Sequence, residues 1–352
     1  MGTAPAGAVS LPFVSIIVPC LNEARFIGAC LQSIVENGYP EDRLEVLAVD
    51  GQSDDDTPAT VTRFAERYPC VRLLRNSRHV TPAALNLGIA VARGDYVLWM
   101  SAHNTYPQGY IAECVTSAIR YGADNVGGII VTEARDPGLF APLIVAALTH
   151  RFGVGNSPFR LGGDQAQWVD TVFGGCYRRD VFTRVGLFNE ALARGQDIEF
   201  NLRLKRAGLR TLLVPSIRSV YHARSRVGDF LRHNWINGMW AVLPFLYVRH
   251  PPVGLRHLVP LAFVTAIVFG IVVGLVVPHG WWVLAIIGVC YAVVATAAAL
   301  DLARKRRDWR FVLAMPFVFL ALHLSYGAGS LFGVLRLAAA LLPWPRARDA
   351  RL

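Results

Sequence analysis

DYVLWMSAHNTYP, residues 95–107, begins as an apolar β-rich run, Val97 to Met100, and stops abruptly at Ser101, Ala102, His103 and Asn104. Such a strand either delivers polar groups to a site or runs out into a solvated loop, and the neighbouring segments decide which. Immediately upstream, PAALNLGIAVAR (82–93) has helical character, and VRLLRN (71–76) before it reads as a strand. Further out lie the strand patterns FVSIIVPC (13–20) and LEVLAVD (44–50), with helical periodicity in EARFIGACLQSIVEN (23–37) and TPATVTRFAERY (57–68). This β-α-β-α order predicts an α/β fold with a mostly parallel central sheet covered on both faces.

In a sheet of that kind ligands bind beyond the carboxyl ends of the strands. The polar residues gather there: Asn22 and Glu23 after the first strand, Asp50 with Gln52, Ser53, Asp54, Asp55 and Asp56 after the second, and Ser101, His103 and Asn104 after the fourth. Three strand ends supplying one edge read as a site. Thr57 followed by Pro58 also fits a helix start, so an acidic loop by itself would mean little. No GxGxxG follows the first strand, which argues against a dinucleotide-binding dehydrogenase.

The rest of the chain has a different solvent. Hydrophobic residues make up 53% of the 352, and a mean hydropathy of +0.38 is too high for an ordinary soluble enzyme. Residues 258–278 and 281–302 are each long enough to cross about 30 Å of hydrocarbon, and only His279 and Gly280 join them. A helical hairpin with Trp281 and Trp282 at the far interface follows. ARKRRDWR (303–310) carries five cations in a short loop, which the positive-inside rule places in the cytosol.

The stretch 311–342 exceeds one crossing and falls short of two, and about three spans are expected in all. Its His323 and Tyr326 read either as close helix packing or as an intramembrane functional group. Before the spans, Trp235, Met239, Trp240, Leu243 and Phe245 can share one face of a helix lying in the headgroup layer. The expected organisation is therefore a cytosolic catalytic domain (1–225), an interfacial linker region (226–257), transmembrane helices (258–342) and a basic tail (343–352) with Arg346, Arg348 and Arg351.

The N-terminus has no secretory pattern, and Ala6 after Gly2 departs from a myristoylation signal. Six scattered cysteines without a CxxC pair read as reduced packing residues. The formal charge of +10 has no nucleic-acid-binding signature beside it; an anionic membrane surface and phosphate-bearing substrates account for it.

VSIIVPCLNEARFIGACLQSI (14–34), LEVLAVDGQSDDDT (44–57), PAALNLGIAVARGDYVLWMSAHNTYP (82–107) and GQDIEFNLRLKRAG (195–208) together resemble the family 2 glycosyltransferases, which have the GT-A fold. RFGVGNSPFR (151–160) with VDTVFGGCYRRDVFTRVGLFNE (169–190) is similar to the ExoA-type succinoglycan glucosyltransferase subgroup. The resemblance implies a nucleotide diphosphate sugar donor, UDP-sugar first, held by Pro19, Asn22, Glu23, Asp50, Asn86, Ser101 and Ala102. Where the family carries two acids after the second strand, the second here is Gly51, and where it has Asp-x-Asp this chain has Ser101-Ala102-His103.

The resemblance also implies a divalent metal at His103 and His222, and imidazole ligands favour Mn2+ over Mg2+. Without one, Arg224, Arg226 and Arg78 would neutralise the leaving diphosphate. Asp197 is the expected catalytic base, although Gln196 replaces the Glu that precedes it in the family pattern. Its plain alternative is helix capping. Glu199 and Arg203, one turn apart, read as a supporting pair. Gly174 and Gly175 are expected on the acceptor side, and 151–160 reads as a closing loop whose Arg151 and Arg160 meet anions or solvent.

The implied activity is inverting transfer of a hexose to a polyprenyl-linked or other lipid acceptor in envelope or exopolysaccharide synthesis. The processive QxxRW motif is absent, which favours single-sugar addition. Two readings of other classes stay open: a degenerate domain acting as a membrane scaffold, which the changes at Gly51, Ser101 and Gln196 would mark, and a transporter with a regulatory nucleotide domain.

Overall fold

The computed structural model describes residues 11–248 and 254–341; the readings at Gly2 and Ala6, at 249–253 of the linker and at the tail arginines fall outside them. The chain forms two compact bodies: 1–133 with 158–222, and 134–157 with 223–352. The expected boundary at 225 is therefore interrupted, because the excursion 134–157 belongs with the C-terminal helices.

In chain order the elements up to the excursion are β1 (Val14–Cys20), α1 (Ile27–Val35), β2 (Leu44–Asp50), α2 (Thr57–Arg67), β3 (Val71–Arg75), α3 (Thr81–Val91), β4 (Tyr96–Trp99), β5 (Asn104–Thr105), α4 (Tyr110–Tyr121) and β6 (Asn125–Ala134). The excursion holds α5 (Ala141–Leu148) and α6 (Arg151–Val154). Then come α7 (Pro158–Leu161), β7 (Gln167–Val169), β8 (Gly175–Arg178), α8 (Val181–Val185), α9 (Gln196–Arg206) and β9 (Thr211–Ala223). The C-terminal helices are α10 (Val227–Val242), α11 (Val259–Val276), α12 (Trp282–Arg306) and α13 (Arg310–Leu341).

Among the described residues the strands form one sheet in the order β3-β2-β1-β4-β8-β6-β9-β5, with β7 beside β9. β3, β2, β1 and β4 run parallel, and β8 joins β4 antiparallel. β2 is buried at every position, as strands covered on both faces are. One face packs Ile16, Val18, Val46 and Leu98 against Ile27, Leu31 and Val115. The other packs Ile17, Leu47 and Val97 against Leu85, Phe188 and Phe200.

In the second body, Ile144, Ala146 and Ala147 of α5 share a core with Ala298, Ala299 and Leu302 of α12 and with Phe311, Met315 and Phe319 of α13. The ring of Phe152 on α6 lies 5.8 Å from Tyr291, 5.0 Å from Phe319 and 4.9 Å from His323. His323 uses both ring nitrogens: one is 2.9 Å from the Phe152 carbonyl and accepts no proton there but donates one, so the other accepts from the Tyr291 hydroxyl at 2.9 Å. Of the two readings of His323, helix packing accounts for every polar atom of its ring.

α11, α12 and α13 are each long and apolar enough to cross a membrane. α11 and α12 form the expected hairpin, with Phe263 stacked on Tyr291 at 4.6 Å and Val268, Phe269, Val272, Ile286, Val289 and Val293 exposed along its outside. α13 is one continuous 32-residue helix that contains Pro316.

α10 turns Phe230, Asn234, Gly238 and Ala241 inward and leaves Trp235 exposed; the helix ends at Val242, and in the turn after it Phe245 and Leu246 are exposed while Leu243, expected on the same face, is buried. α10 meets α13 backbone to backbone: a Cβ at Gly238 would overlap the Tyr326 carbonyl, and one at Gly329 would overlap the Trp235 carbonyl. Ser330 Oγ donates across this contact to the Gly238 carbonyl at 3.0 Å. Gly329→Leu therefore lowers the stability of the second body by about 1–3 kcal/mol or more, read as a lower melting temperature in detergent. An equal loss from Gly288→Leu, a glycine with nothing within 4 Å of an added Cβ, would refute this account of the contact.

Candidate active site

Parallel register places the carboxyl ends of β1 and β2 side by side, Cys20 opposite Asp50, with β4 on the other flank of β1. The loops that leave these ends are stitched together. Asn22 donates its amide to Ser53 Oγ at 2.9 Å and accepts the Asp54 amide on Oδ1 at 3.0 Å. The Glu23 amide donates to Thr57 Oγ1 at 2.8 Å, and the Ala24 amide to Asp55 at 3.0 Å. These contacts leave the Glu23 side chain free to reach the fourth strand end.

Asp50 is buried and accepts the amides of Gln52 at 3.1 Å and Ser53 at 3.2 Å and the Ser53 hydroxyl at 2.6 Å. Its first structural task is thus to close the 50–53 turn, where Gln52 takes a positive φ of 64°. Asn22 (55°) and His79 (55°) are also left-handed. Three such residues at one sheet edge mark a backbone held in costly geometry, a feature of binding sites. His79, which contacts the Gly51 carbonyl at 2.7 Å, carried no sequence signal.

Glu23 Oε1 lies 3.0 Å from His103 Nδ1, and Ser101 Oγ lies 3.2 Å from His103 Nε2. The pair is about a quarter exposed, 30% for His103 and 21% for Glu23. β5 pairs with β9 at Asn104 and Tyr221, the residues next in sequence to His103 and His222. His103 meets the Tyr221 ring edge-on at 5.9 Å, and His222 stacks on Phe26 at 6.4 Å. Among the described residues no cluster of three or more His, Cys, Asp or Glu could hold a metal. Pro19 is half-buried on β1 and Ala102 is buried in the core beside Met100.

Asp197 stands in the first turn of α9, behind Gly195 with φ of 75°. Burial raises its pKa, while the amides of Ile198 and Asp197 and the charge of Arg160 oppose that shift. Arg160, on α7, lies 5.6 Å over the Tyr221 ring, and burial lowers its pKa against the attraction of Tyr221 and Asp197. Its Nη1 and Gln196 Oε1 are buried without hydrogen-bond partners among the described residues. Tyr221 thus touches Arg160 on one side and His103 on another, a link no local pattern announced.

α9 is positioned from beneath. Phe200 stacks on Phe188 at 4.2 Å, and Asn201 accepts from Asn125 Nδ2 at 2.9 Å and donates to Thr171 at 3.0 Å. Glu199 and Arg203 form the expected ion pair at 2.7 Å, and Arg203 also donates to the Val185 and Leu187 carbonyls. Gly174 (φ 67°) and Gly175 (φ 132°) turn the chain into β8; an added Cβ would lie 2.7 Å from the Trp99 carbonyl and 2.5 Å from Asn125 Oδ1, respectively.

Three expected residues, Asn86, Arg78 and Arg224, are engaged elsewhere. Asn86 is buried and gives its amide hydrogens to the Phe188 carbonyl and Glu190, while its oxygen accepts the Phe188 amide. Its hydrogen-bonding groups hold the 188–190 segment rather than facing a nucleotide. Arg78 pairs with the same Glu190. Arg224 and Arg226 fall in the second body, where Arg224 Nη1 lies 3.0 Å from His233 and Arg226 precedes α10. Of the expected closing loop, Arg151 is exposed and Phe152 is anchored among the C-terminal helices, whereas Arg160 belongs to the first body.

The family model for glycosyl transferase family 2 matches residues 15–185. The succinoglycan biosynthesis protein ExoA of Rhizobium meliloti is 31% identical over 280 residues, 78% of this chain and 83% of that protein. The dolichyl N-acetyl-alpha-D-glucosaminyl phosphate 3-beta-D-2,3-diacetamido-2,3-dideoxy-beta-D-glucuronosyltransferase of Methanococcus voltae is 25% identical, over 90% of this chain and 95% of its own. Among solved structures, the mannosyltransferase PcManGT of Pyrobaculum calidifontis, in complex with GDP-Man and Mn2+, superposes with a TM-score of 0.58 at 22% identity, covering 93% of this chain and 88% of its own, which establishes a shared GT-A-like fold. With helices long and apolar enough to span a membrane following that fold, the chain belongs to glycosyltransferase family 2 and is a glycosyltransferase.

Proposed function

We propose that this glycosyltransferase is membrane-bound and inverting, and moves a hexose from a nucleotide diphosphate sugar, UDP-linked, to a polyprenyl-linked acceptor on the cytosolic face, for envelope or exopolysaccharide synthesis. The observation that carries the reading is the chain of contacts in one body that runs from Glu23 through His103 to Tyr221 and on to Arg160, whose charge acts on Asp197, a half-buried carboxylate at the start of α9. The names of the relatives support the acceptor class: one belongs to succinoglycan biosynthesis and one acts on a dolichyl-linked sugar phosphate.

In this reading the 22–23 and 50–53 turns cradle the nucleoside, and Asp197 takes the proton from the acceptor hydroxyl as that oxygen attacks the anomeric carbon and the diphosphate leaves. Burial fits Asp197 for the task, because a carboxylate poor in water is a stronger base than a solvated one. Two imidazoles, with pyrophosphate oxygens of the donor completing the shell, would suit a divalent metal. Glu23 holds His103 Nδ1, the arrangement by which carboxylates orient metal-bound imidazoles, and Nε2, which now meets Ser101 Oγ, would be the ligand atom. His222 would be the second ligand, and imidazole ligands make Mn2+ the better candidate than Mg2+. A metal bound there would supply positive charge to the leaving diphosphate.

For the membrane we propose that the α11–α12 hairpin crosses and that α13 lies in the interface with α10. At 1.5 Å per residue α13 is about 48 Å long, well beyond a hydrocarbon core of about 30 Å. It is flanked by α5 at its start and α10 further along, and it exposes Leu313, Phe317 and Leu335.

Four outcomes are expected. Asp197→Asn reduces transfer by about 10²- to 10⁴-fold with little change in donor affinity; an active variant would remove Asp197 as the base. In wild type, activity is lost as the pH falls and Asp197 is protonated. With its pKa raised, that acidic limb lies above the ordinary carboxylate value of 3.8; a limb at or below 3.8 would contradict the burial argument. Glu23→Gln weakens Mn2+ binding about 10- to 100-fold in titrations with UDP present, and undiminished binding would separate Glu23 from the metal. For topology, in a Cys290→Ser background, Arg336→Cys and Arg307→Cys react with an impermeant thiol reagent from one side and His279→Cys from the other; labelling of Arg336→Cys from the side of His279 would make α13 a span.

A further inference from the structure

A buried guanidinium nitrogen without an acceptor is costly, more so than a neutral donor, because the charge has lost its water. Arg160 Nη1 is in that state, and so, as a neutral acceptor, is Gln196 Oε1. Both adjoin Asp197: Gln196 precedes it at the start of α9, and Arg160 is near enough for its charge to act on the carboxylate. The guanidinium has little freedom, lying 5.6 Å over the Tyr221 ring and 5.7 Å over the Phe159 ring. An arginine that served only as a counter-ion to Asp197 would spend Nη1 on that carboxylate. Here Nη1 is unspent.

The direction of attack decides which substrate completes it. In an inverting displacement the nucleophile and the leaving group stand on opposite faces of the anomeric carbon, so a cation beside the base faces the acceptor and not the departing diphosphate. Resting on the assignment of Asp197 above, we propose that Arg160 and Gln196 form an acceptor subsite for a sugar that carries an anionic group, phosphate or carboxylate, next to its reacting hydroxyl. Arg160 receives the anion through its planar fork, and the Gln196 carbonyl accepts a neighbouring hydroxyl. The Gln at 196 is then matched to its ligand: a Glu would add a second negative charge beside the anion and repel it.

The test uses the full chain in lipid nanodiscs with Mn2+ and UDP, and three short amphiphiles: citronellyl diphosphoglucose, citronellyl glucuronide and citronellyl glucoside. Wild type binds at least one anionic amphiphile about ten-fold or more tighter than the neutral glucoside, and the better of the two names the source of the charge. Arg160→Gln brings all three within about two-fold of one another. Arg160→Lys, which keeps the charge without the fork, retains part of the preference. No preference in wild type, a preference that survives Arg160→Gln, or a loss confined to UDP affinity would each overturn the proposal. Transfer is read in parallel: if wild type transfers to none of the three, the acceptor assignment of the preceding section falls, while the binding series still decides the subsite.

Discussion

Parallel hydrogen bonding of β1 to β2 on one side and to β4 on the other is the constraint from which the site follows. Parallel neighbours end at the same edge, so the turn after each strand emerges beside the others, and polar residues 20 or more positions apart in sequence become neighbours without any side chain having to travel. The edge is then stiffened by its own hydrogen bonds, Asn22 to Ser53 and Asp54, Glu23 to Thr57, and Asp50 to its turn. A rigid edge lets a short bond such as Glu23 to His103 fix an imidazole without loss of side-chain entropy at the moment of binding.

α9 reaches the same neighbourhood by another route. Its apolar face is set by the Phe188 and Phe200 stack, and its register by the buried amide chain Asn125, Asn201 and Thr171. A buried polar chain tolerates little slippage, because every shifted group would be left without a partner. Asp197 is therefore located by packing several residues along the helix from the carboxylate itself.

The parallel half and its strand-end residues were legible because both signals are local: buried strands read as apolar runs, and a turn after a strand is a place rather than a contact. The later strands were less so. β8, β6 and β9 join through long-range pairing, which leaves little trace in periodicity, and the 134–157 excursion carries no boundary signal because its apolar residues look the same whichever body they serve. Asn86 shows the limit at one residue: a polar side chain on a helix can face a ligand or a loop, and the choice lay with Phe188, 102 positions away. In the sequence Arg160 reads as a candidate for anions or solvent, but its nearness to Asp197 depends on β9 and the aromatic surface of Tyr221. Pro316 did not break α13, as a helix embedded among other helices can accommodate one missing amide.

The excursion that holds α5 and α6 has a consequence for how the chain is made. Its partners arrive late: His150 contacts Asp301, 151 positions on, and the Phe152 carbonyl waits for His323, 171 positions on. During translation the greasy stretch 141–154 must leave the ribosome long before Ala298, Met315 and Phe319 exist to cover it. For that interval the nascent polypeptide exposes a sticky segment, a state prone to misassembly unless a chaperone or the lipid surface shelters it.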